Sequence, residues 1–210
     1  MTGPLLAALL ALPGAQPSVP AAAEAALSRA AALYLGAGAH VSSFVQTYTP
    51  AGFANARRES GEVWIQAPER LRFEYAAPEK KTFTFDDGEG RFYSPEDKQL
   101  TIKKLSAEER ARLPIVFLTD RAELSRDYAI SVEAANGEGD RLLLRPRAPR
   151  PELAWLRFSI GPDGAVRELS YEDDAGNRTE FRFEPWRAVK ARPEEDYRVT
   201  GPKGTRVVEQ

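Results

Sequence analysis

The sequence contains no cysteine, and this absence removes several kinds of chemistry at once. Disulfide frameworks, thiolate metal sites, thiol nucleophiles and attachment to a membrane through a lipidated cysteine all need that residue. The single histidine, His40, leaves one imidazole for any mechanism that needs a histidine base or a multi-histidine metal centre. A lone histidine beside an apolar segment is more often a packing or surface residue than a catalyst, so we expect no metal site and no catalytic role here.

An excess of one charge is also lacking, since 29 Lys and Arg stand against 31 Asp and Glu. Nucleic-acid-binding proteins carry a basic excess that neutralises phosphates, so we expect no nucleic-acid partner. The P-loop, the dinucleotide-binding glycine motif, the HExxH zinc motif and the serine-hydrolase elbow do not occur. No spacing singles out a catalytic carboxylate pair. We therefore predict a protein that is not an enzyme and that binds no cofactor.

The first 23 residues carry no charge and include a run of eight apolar residues at positions 5–12. This run suits the apolar region of an export signal and falls well short of the roughly 20 residues that span a bilayer. Small residues at 21–23 suit a cleavage site. We predict an export signal at residues 1–23 and a single domain at residues 24–210. An export signal normally begins with a basic region, but the first basic residue here is Arg29. A disordered leader rich in alanine and proline is therefore the alternative.

Residues 24–35 have the composition and spacing of an amphipathic helix, and short alternating segments follow from Val41 onward. Turn sequences such as Asp86-Asp87-Gly88 separate these segments, which is typical of antiparallel strands. Apolar residues occupy alternate positions, so one face of the sheet is predicted to be apolar. The alternation is clearest in these pairs: Val63 and Ile65, Leu71 and Phe73, Phe83 and Phe85, Leu100 and Ile102, Leu142 and Leu144, Leu156 and Phe158, Phe181 and Phe183.

Residues 106–118 lie between two groups of strands and have the pattern of a short, broken helix. Ser106 followed by Glu108 and Glu109 resembles a helix cap, and Pro114 then interrupts the helix. Apolar residues surround the break. Such a segment can cover an apolar sheet face as a lid, or it can simply complete the core.

Several sequence blocks follow one another along residues 24–210. These blocks are Phe44-Val45-Gln46, Gly61-Glu62-Val63-Trp64, the stretch 68–75 with Pro78, the Asp86-Asp87-Gly88 turn, the stretch 93–100, and the closing segments 161–164, 174–183 and 202–208. In this order they resemble the periplasmic outer-membrane lipoprotein carrier proteins (LolA). Each block alone is weak. Six or more in the right order are hard to obtain by chance.

The resemblance implies an open, incomplete antiparallel β-barrel with helices over its apolar concave face. It also implies a periplasmic carrier, a monomer, that shields the acyl chains of lipoproteins from water. Family members receive this cargo from an ATP-driven inner-membrane transporter that releases lipoproteins, and deliver it to an outer-membrane receptor lipoprotein. The family commonly has an arginine at the position of Ala67, where it holds the lid, and an aromatic residue at Arg91. Arg70 or Arg72 could substitute for the missing lid arginine.

We expect the acyl chains to contact one face of the sheet and the lid. The predicted cavity residues are Val63, Ile65, Ala67, Leu71, Phe73, Tyr75, Phe83, Phe85, Leu100, Ile102, Leu156 and Phe158, and the predicted lid residues are Ile115, Phe117 and Leu118. A carrier of another envelope lipid and a regulatory, envelope-stress-sensing binding domain of similar shape are the alternatives. An enzyme acting on envelope lipids is a third, disfavoured by the missing catalytic motifs.

Overall fold

The computed structural model describes residues 19–110, 113, 121–136 and 139–210. These ranges contain the helices α1 (Ala21–Tyr34), α2 (Ala107–Arg110) and α3 (Arg121–Asp127), and a 3₁₀ helix at Glu194–Tyr197. The strands are β1 (Ala39–Thr49), β2 (Arg57–Gln66), β3 (Arg70–Ala77), β4 (Lys81–Asp86), β5 (Glu89–Ser94), β6 (Gln99–Lys104), β7 (Tyr128–Asn136), β8 (Gly139–Pro146), β9 (Trp155–Ile160), β10 (Val166–Glu172), β11 (Arg178–Phe183), β12 (Arg187–Val189) and β13 (Arg206–Glu209). None of the described helices has the length and apolar character needed to cross a membrane.

All the strands belong to one sheet whose order is β13-β6-β5-β4-β3-β2-β1-β11-β10-β9-β8-β7, with β12 beside β1. Strand β1 joins the two halves, because it pairs with β2 on one side and with β11 and β12 on the other. In the described part of the chain, β7 and β13 are free edges, so the sheet stays open. The predicted mainly-β, open and incomplete barrel with few helices is confirmed. The sequence pattern does not predict the parallel pairing of β13 with β6.

The hairpin between β4 and β5 forms where the sequence places Asp86-Asp87-Gly88. Asp87 and Gly88 both have positive φ, 48° and 78°, as the central residues of a two-residue type I′ hairpin require. Asp tolerates this left-handed region better than most residues, and Gly enters it without steric cost. The predicted turn is confirmed.

The register across the strands defines two faces of the sheet. The inner face carries Val63, Phe73 and Phe83, which lie opposite one another on β2, β3 and β4. Their neighbours along each strand point to the outer face. Inner-face side chains of both sheet halves form one buried apolar cluster with α1, so this face contains the core.

Helix α1 covers the inner face of β7, β8 and β9. Its buried residues include Ala23, Ala26 and Ala30, and these small side chains let the helix approach the sheet closely. Gly164, in the turn before β10, is similarly close, because a Cβ there would lie 2.5 Å from the carbonyl oxygen of Arg29. Gly164 also has a φ of 82°, so two constraints favour glycine at this position.

The predicted helix at 24–35 is confirmed, with its start three residues earlier at Ala21. Most of the predicted export signal lies outside the described residues and stays a prediction. Its proposed boundary falls inside α1. Cleavage after Ala23 would remove a fully buried residue from the core.

The outer face of β2 and β3 is covered by the segment that follows β12. The guanidinium of Arg192 lies 4.4 Å from the centre of the Trp64 ring, a cation–π geometry. The Gln66 side chain donates to the carbonyl of Arg192 at 3.2 Å and accepts from its N–H at 2.8 Å. Arg72 donates to the carbonyl of Asp196. This covering explains why Trp64 is buried although it points away from the core.

Four charged side chains fasten the 3₁₀ helix to the sheet. Asp86 accepts hydrogen bonds from Arg70 at 3.0 Å and from Arg198 at 2.9 Å. Glu194 pairs with the same two arginines at 2.9 and 2.8 Å. The Asp86 side chain is only 8% exposed, so its charge is shielded from water and depends on both arginines.

We expect Asp86→Asn to lower the free energy of unfolding by about 1–3 kcal/mol, because two charge-assisted hydrogen bonds lose their ionised acceptor. Urea unfolding measures this change, and limited proteolysis checks whether residues 190–210 become accessible. Glu195→Gln is the matched control, since it removes the same charge from an exposed residue of the same segment. Equal effects of the two substitutions would contradict the anchoring role of Asp86.

Candidate functional site

A cavity of about 310 Å³ opens on the inner face of the sheet. It lies at the lower end of the range for ligand sites, about 300–1,000 Å³. Its lining residues are Phe73, Tyr75, Phe83, Leu105, Glu109, Leu113, Leu169, Tyr171 and Phe181. Eight of these nine residues are aromatic or aliphatic. The cavity therefore suits a hydrocarbon ligand better than a charged metabolite.

Both halves of the sheet contribute to the cavity floor, and β1 joins them. Phe44 of β1 meets the Phe73 ring at 5.2 Å between centroids in an edge-to-face geometry. Phe181 of β11 lies 5.7 Å from Phe73. Edge-to-face and tilted ring pairs stabilise one another and resist collapse into the space beside them. The floor is thus a fixed aromatic surface.

The segment after β6 lies over this floor. Ser106 and Glu109 form a reciprocal capping box, in which each backbone N–H donates to the other side chain, at 3.0 and 3.2 Å. The predicted helix cap is therefore confirmed. Leu105 and Leu113 pack against the core cluster and line the cavity. The predicted lid residues Ile115, Phe117 and Leu118 lie outside the described residues.

Arg110, a residue of the covering segment itself, joins this segment to the sheet. Arg110 of α2 donates to the Glu69 carboxylate, in the turn between β2 and β3, at 3.1 Å. Its guanidinium also lies 6.0 Å from the centre of the Phe85 ring. Arg70 and Arg72 instead bind residues on the outer face, so the geometry does not support either of them as a substitute for the missing arginine at Ala67.

The predicted cavity residues fall into five groups. Phe73, Tyr75 and Phe83 line the cavity. Four others, Val63, Ile65, Leu71 and Phe85, are buried inner-face residues beside it, and Leu156 and Phe158 are buried in the other half of the sheet. Ala67 lies in the turn between β2 and β3. Leu100 and Ile102 are the remaining group.

The predicted inner-face position of Leu100 and Ile102 is wrong. Leu100 pairs with Tyr93, and Tyr93 pairs with Thr82 on the outer face. On β6, the residues that share the inner face with Phe83 are therefore Gln99, Thr101 and Lys103. Leu100 is buried nonetheless, since the outer face is itself covered, and an alternating pattern does not say which face is the core.

Three inner-face residues of the cavity, Leu169, Tyr171 and Phe181, are missing from the predicted site. The alternation of Phe181 with Phe183 points to them, because Phe181 pairs with Leu169 across β11 and β10. The register of β10 shifts between Val166 and Glu168. This bulge interrupts the two-residue period and hides Leu169 and Tyr171 from a parity analysis.

Polar groups lie at one margin of the cavity. The Tyr75 hydroxyl donates to the Gln46 side chain at 2.7 Å. Lys81 contacts Glu59 at 2.5 Å and lies 4.5 Å from the centre of the Tyr75 ring. Burial, and then the charge of Glu59, raise the pKa of Tyr75, so this hydroxyl stays protonated and remains a donor.

A larger groove of about 860 Å³ lies elsewhere on the sheet, along β1, β2 and β11. Its lining includes Ser43, Arg58, Glu62 and Glu180, which are polar or charged. Five of its twelve lining residues are charged, compared with one of nine in the inner-face cavity. Among the described residues no cluster of three or more His, Asp or Glu side chains could hold a metal ion.

His40 is buried on the inner face near the end of α1. Its ring lies 5.5 Å from the Tyr34 ring in an edge-to-face geometry. Its Nδ1 atom has no hydrogen-bond partner within the described ranges, and Asp163 and Arg167 line the hollow beside it. A histidine base needs a positioned partner, so this geometry supports a packing role for His40.

Burial lowers the pKa of His40, because the charged imidazolium loses its hydration. The unfolded chain, with a histidine pKa of about 6.5, then binds more protons than the folded chain. We expect the free energy of unfolding to fall as the pH decreases from about 7.5 to 5.5, and His40→Gln to remove this part of the decrease. Urea unfolding of both proteins across this range is the test. A constant difference between them would contradict the assignment.

The chain was compared with models of known protein families. A family model described as outer membrane lipoprotein carrier protein LolA matches residues 37–200. The chain belongs to the outer-membrane lipoprotein carrier family. One relative, an outer-membrane lipoprotein carrier protein of Xanthomonas campestris pv. campestris (strain B100), is 31% identical over 169 residues, which cover 79% of each chain.

Solved structures agree with this membership at the level of fold. An uncharacterised conserved protein from Thermus thermophilus matches with a TM-score of 0.56 at 15% identity, covering 90% of this chain and 99% of its own. MucB matches with a TM-score of 0.54 at 15% identity, covering 90% of this chain and 66% of its own. The carrier family thus shares its open sheet with proteins of very different sequence.

Proposed function

We propose that this protein carries the acyl chains of lipoproteins across the periplasm, from the inner to the outer membrane. The observation that carries the proposal is the aromatic cavity on the inner face, lined by both halves of the sheet. Each buried CH₂ group contributes about 0.8 kcal/mol, so acyl chains cross water only inside an apolar cover. Because the cover must also release its cargo, an open sheet suits the task better than a closed barrel.

The proposal includes the partners and the location of the carrier. An ATP-driven inner-membrane transporter supplies the lipoprotein, and an outer-membrane receptor lipoprotein accepts it. The carrier itself is a monomer that catalyses no reaction and binds no nucleotide. Membership of the carrier family and the lipid-compatible cavity support this assignment.

The pair of Arg110 and Glu69 acts in this proposal as a latch for the covering segment. Arg110 lies on α2, and Glu69 lies on the turn at the edge of the cavity floor. The pair therefore joins the cover to the sheet. Both side chains are partly exposed, at 37% and 28%, so the latch is weak enough to open during cargo transfer.

Phe83→Glu tests the cavity. Phe83 lines it and is half-buried, so a carboxylate there would meet the hydrocarbon, and we expect binding of a fluorescent acyl probe to weaken by at least about tenfold. Phe53→Glu is the matched control, because Phe53 lies in the loop between β1 and β2 and is 69% exposed. Binding titrations with equal losses in both variants would contradict the assigned cavity.

Glu69→Gln tests the latch. Loss of this surface-accessible ion pair is expected to speed release of the acyl probe to acceptor vesicles by about two- to fivefold, while equilibrium folding changes little. Stopped-flow fluorescence measures the release rate. Glu79→Gln is the control, because it removes the same charge from an exposed loop residue. An unchanged rate in Glu69→Gln would rule out the latch.

A regulatory binding domain is the competing function. Gentle purification from the periplasm followed by mass spectrometry separates the two. The carrier proposal predicts co-purified acylated protein. A stoichiometric protein partner without any lipid would support the regulatory function instead.

A further inference from the structure

Glu59 and Lys81 are charged residues at inner-face positions of the sheet, the face whose buried side chains form the apolar core. Lys81 shares its face of β4 with Phe83 and Phe85. Glu59 lies opposite Gln46 on β1, and Gln46 in turn lies opposite Phe181 of the cavity floor. The two charges meet at 2.5 Å with side chains 21% and 22% exposed. A partly buried pair loses hydration, and an apolar pair there would be no less stable, so stability alone does not account for it.

The pair is fixed against the cavity by its neighbours. Lys81 lies over the face of the Tyr75 ring, 4.5 Å from its centre, and Tyr75 itself lines the cavity. The Tyr75 hydroxyl is held by Gln46 at 2.7 Å. Tyr75 therefore connects the cavity to this ion pair, which lies within reach of a polar head joined to acyl chains in the cavity.

A second ion pair lies beside the cavity. Lys103 lies on the inner face, because it pairs with Gly90 and Gly90 pairs with Phe85. It contacts Glu109 at 2.6 Å, and Glu109 lines the cavity. In the described part of the site, each lysine at the margin is thus matched by a carboxylate, and the two pairs carry no net charge.

We propose that the pair of Glu59 and Lys81 selects cargo with an uncharged head, rich in amide and ester carbonyls, over anionic phospholipids. This inference rests on the proposed carrier function and concerns its specificity. A lysine has three N–H donors, so Lys81 can retain Glu59 and still donate to a neutral carbonyl. A phosphate would instead have to displace Glu59 or approach it against like-charge repulsion.

The selectivity follows from the head group, because both classes of lipid have the same acyl chains. In both classes acyl chains are attached to glycerol through carboxyl ester bonds. The acylated terminus of a lipoprotein continues from there into neutral peptide amides, whereas an anionic phospholipid continues into a charged phosphate diester. Binding in the apolar cavity is similar for the two. The site therefore discriminates by weakening the binding of the anionic phospholipid, and not by strengthening that of the lipoprotein.

The test uses the full chain and two probes that each carry two palmitoyl chains: an S-dipalmitoylglyceryl cysteine lipopeptide with an acetylated N-terminus and no charged residues, and dipalmitoyl phosphatidylglycerol. Each displaces a fluorescent acyl reporter at low ionic strength. We expect the wild-type protein to prefer the lipopeptide by about tenfold or more. Glu59→Gln exposes the cation of Lys81, so phosphatidylglycerol affinity should rise by about tenfold while lipopeptide affinity changes less than about twofold.

Two variants control this experiment. Glu62→Gln removes the same charge from β2, but Glu62 pairs with Glu74 on the outer face, so the wild-type preference should remain. The double variant Glu59→Gln, Lys81→Gln removes both charges, and it should lose the gain for phosphatidylglycerol. This second variant also checks that Glu59→Gln acts through Lys81 and not through altered folding.

The outcomes separate the specificity from the carrier function. Equal affinity of the wild-type protein for both lipids, or an unchanged ratio in Glu59→Gln, would overturn the selective pair and leave the carrier proposal intact. If neither lipid displaced the reporter, both the selective pair and the carrier proposal would be overturned. A gain for phosphatidylglycerol that also occurs in Glu62→Gln would reduce the effect to general electrostatics and overturn the selective pair.

Discussion

The alternation of side chains across β1 is the constraint on which the rest of the molecule depends. This strand pairs with β2 on one side and with β11 and β12 on the other. The direction of its side chains therefore determines which residues of both sheet halves lie on the inner face. A shift of one residue would expose Phe44 and turn Ser43 and Val45 inward. The aromatic contacts of Phe44 with both sheet halves fix that choice. The cavity exists because these contacts place aromatic rings from distant segments on one surface.

Each face of this open sheet needs its own cover. Helix α1 and the segment after β6 cover parts of the inner face, and the chain after β12 covers part of the outer face with cation–π and ion-pair contacts. The two covers differ in kind. The outer one is fastened by several charge-assisted hydrogen bonds, including the shielded Asp86, whereas the described ion pair between the inner cover and the β2–β3 turn is partly exposed. The contacts that hold the outer cover are therefore the more shielded from water.

The sequence predicts local features of this protein well, and long-range ones less so. The hairpin at Asp87 and Gly88 and the capping box at Ser106 depend on residues close in the chain, and both can be identified from the sequence. Phe73 and Phe83 are predicted correctly, since their strands have clean alternation. Leu100 is misplaced because its burial comes from a distant cover, and Tyr171 is missed because a bulge breaks the period. Face and register depend on which strands become neighbours, and a single sequence does not encode that pairing locally.

The strand pairing at the two ends of the sheet bears on aggregation. An exposed edge strand is a template for another chain. Here β13 adds to β6 in parallel, so the edge strand at this end has only four residues, and very short edge strands offer little to an incoming chain. The opposite edge, β7, has a register irregularity between Val132 and Ala134, and irregular edges pair poorly with a regular incoming strand. An open barrel that exposes apolar surface during transfer can thus remain resistant to edge-to-edge polymerisation.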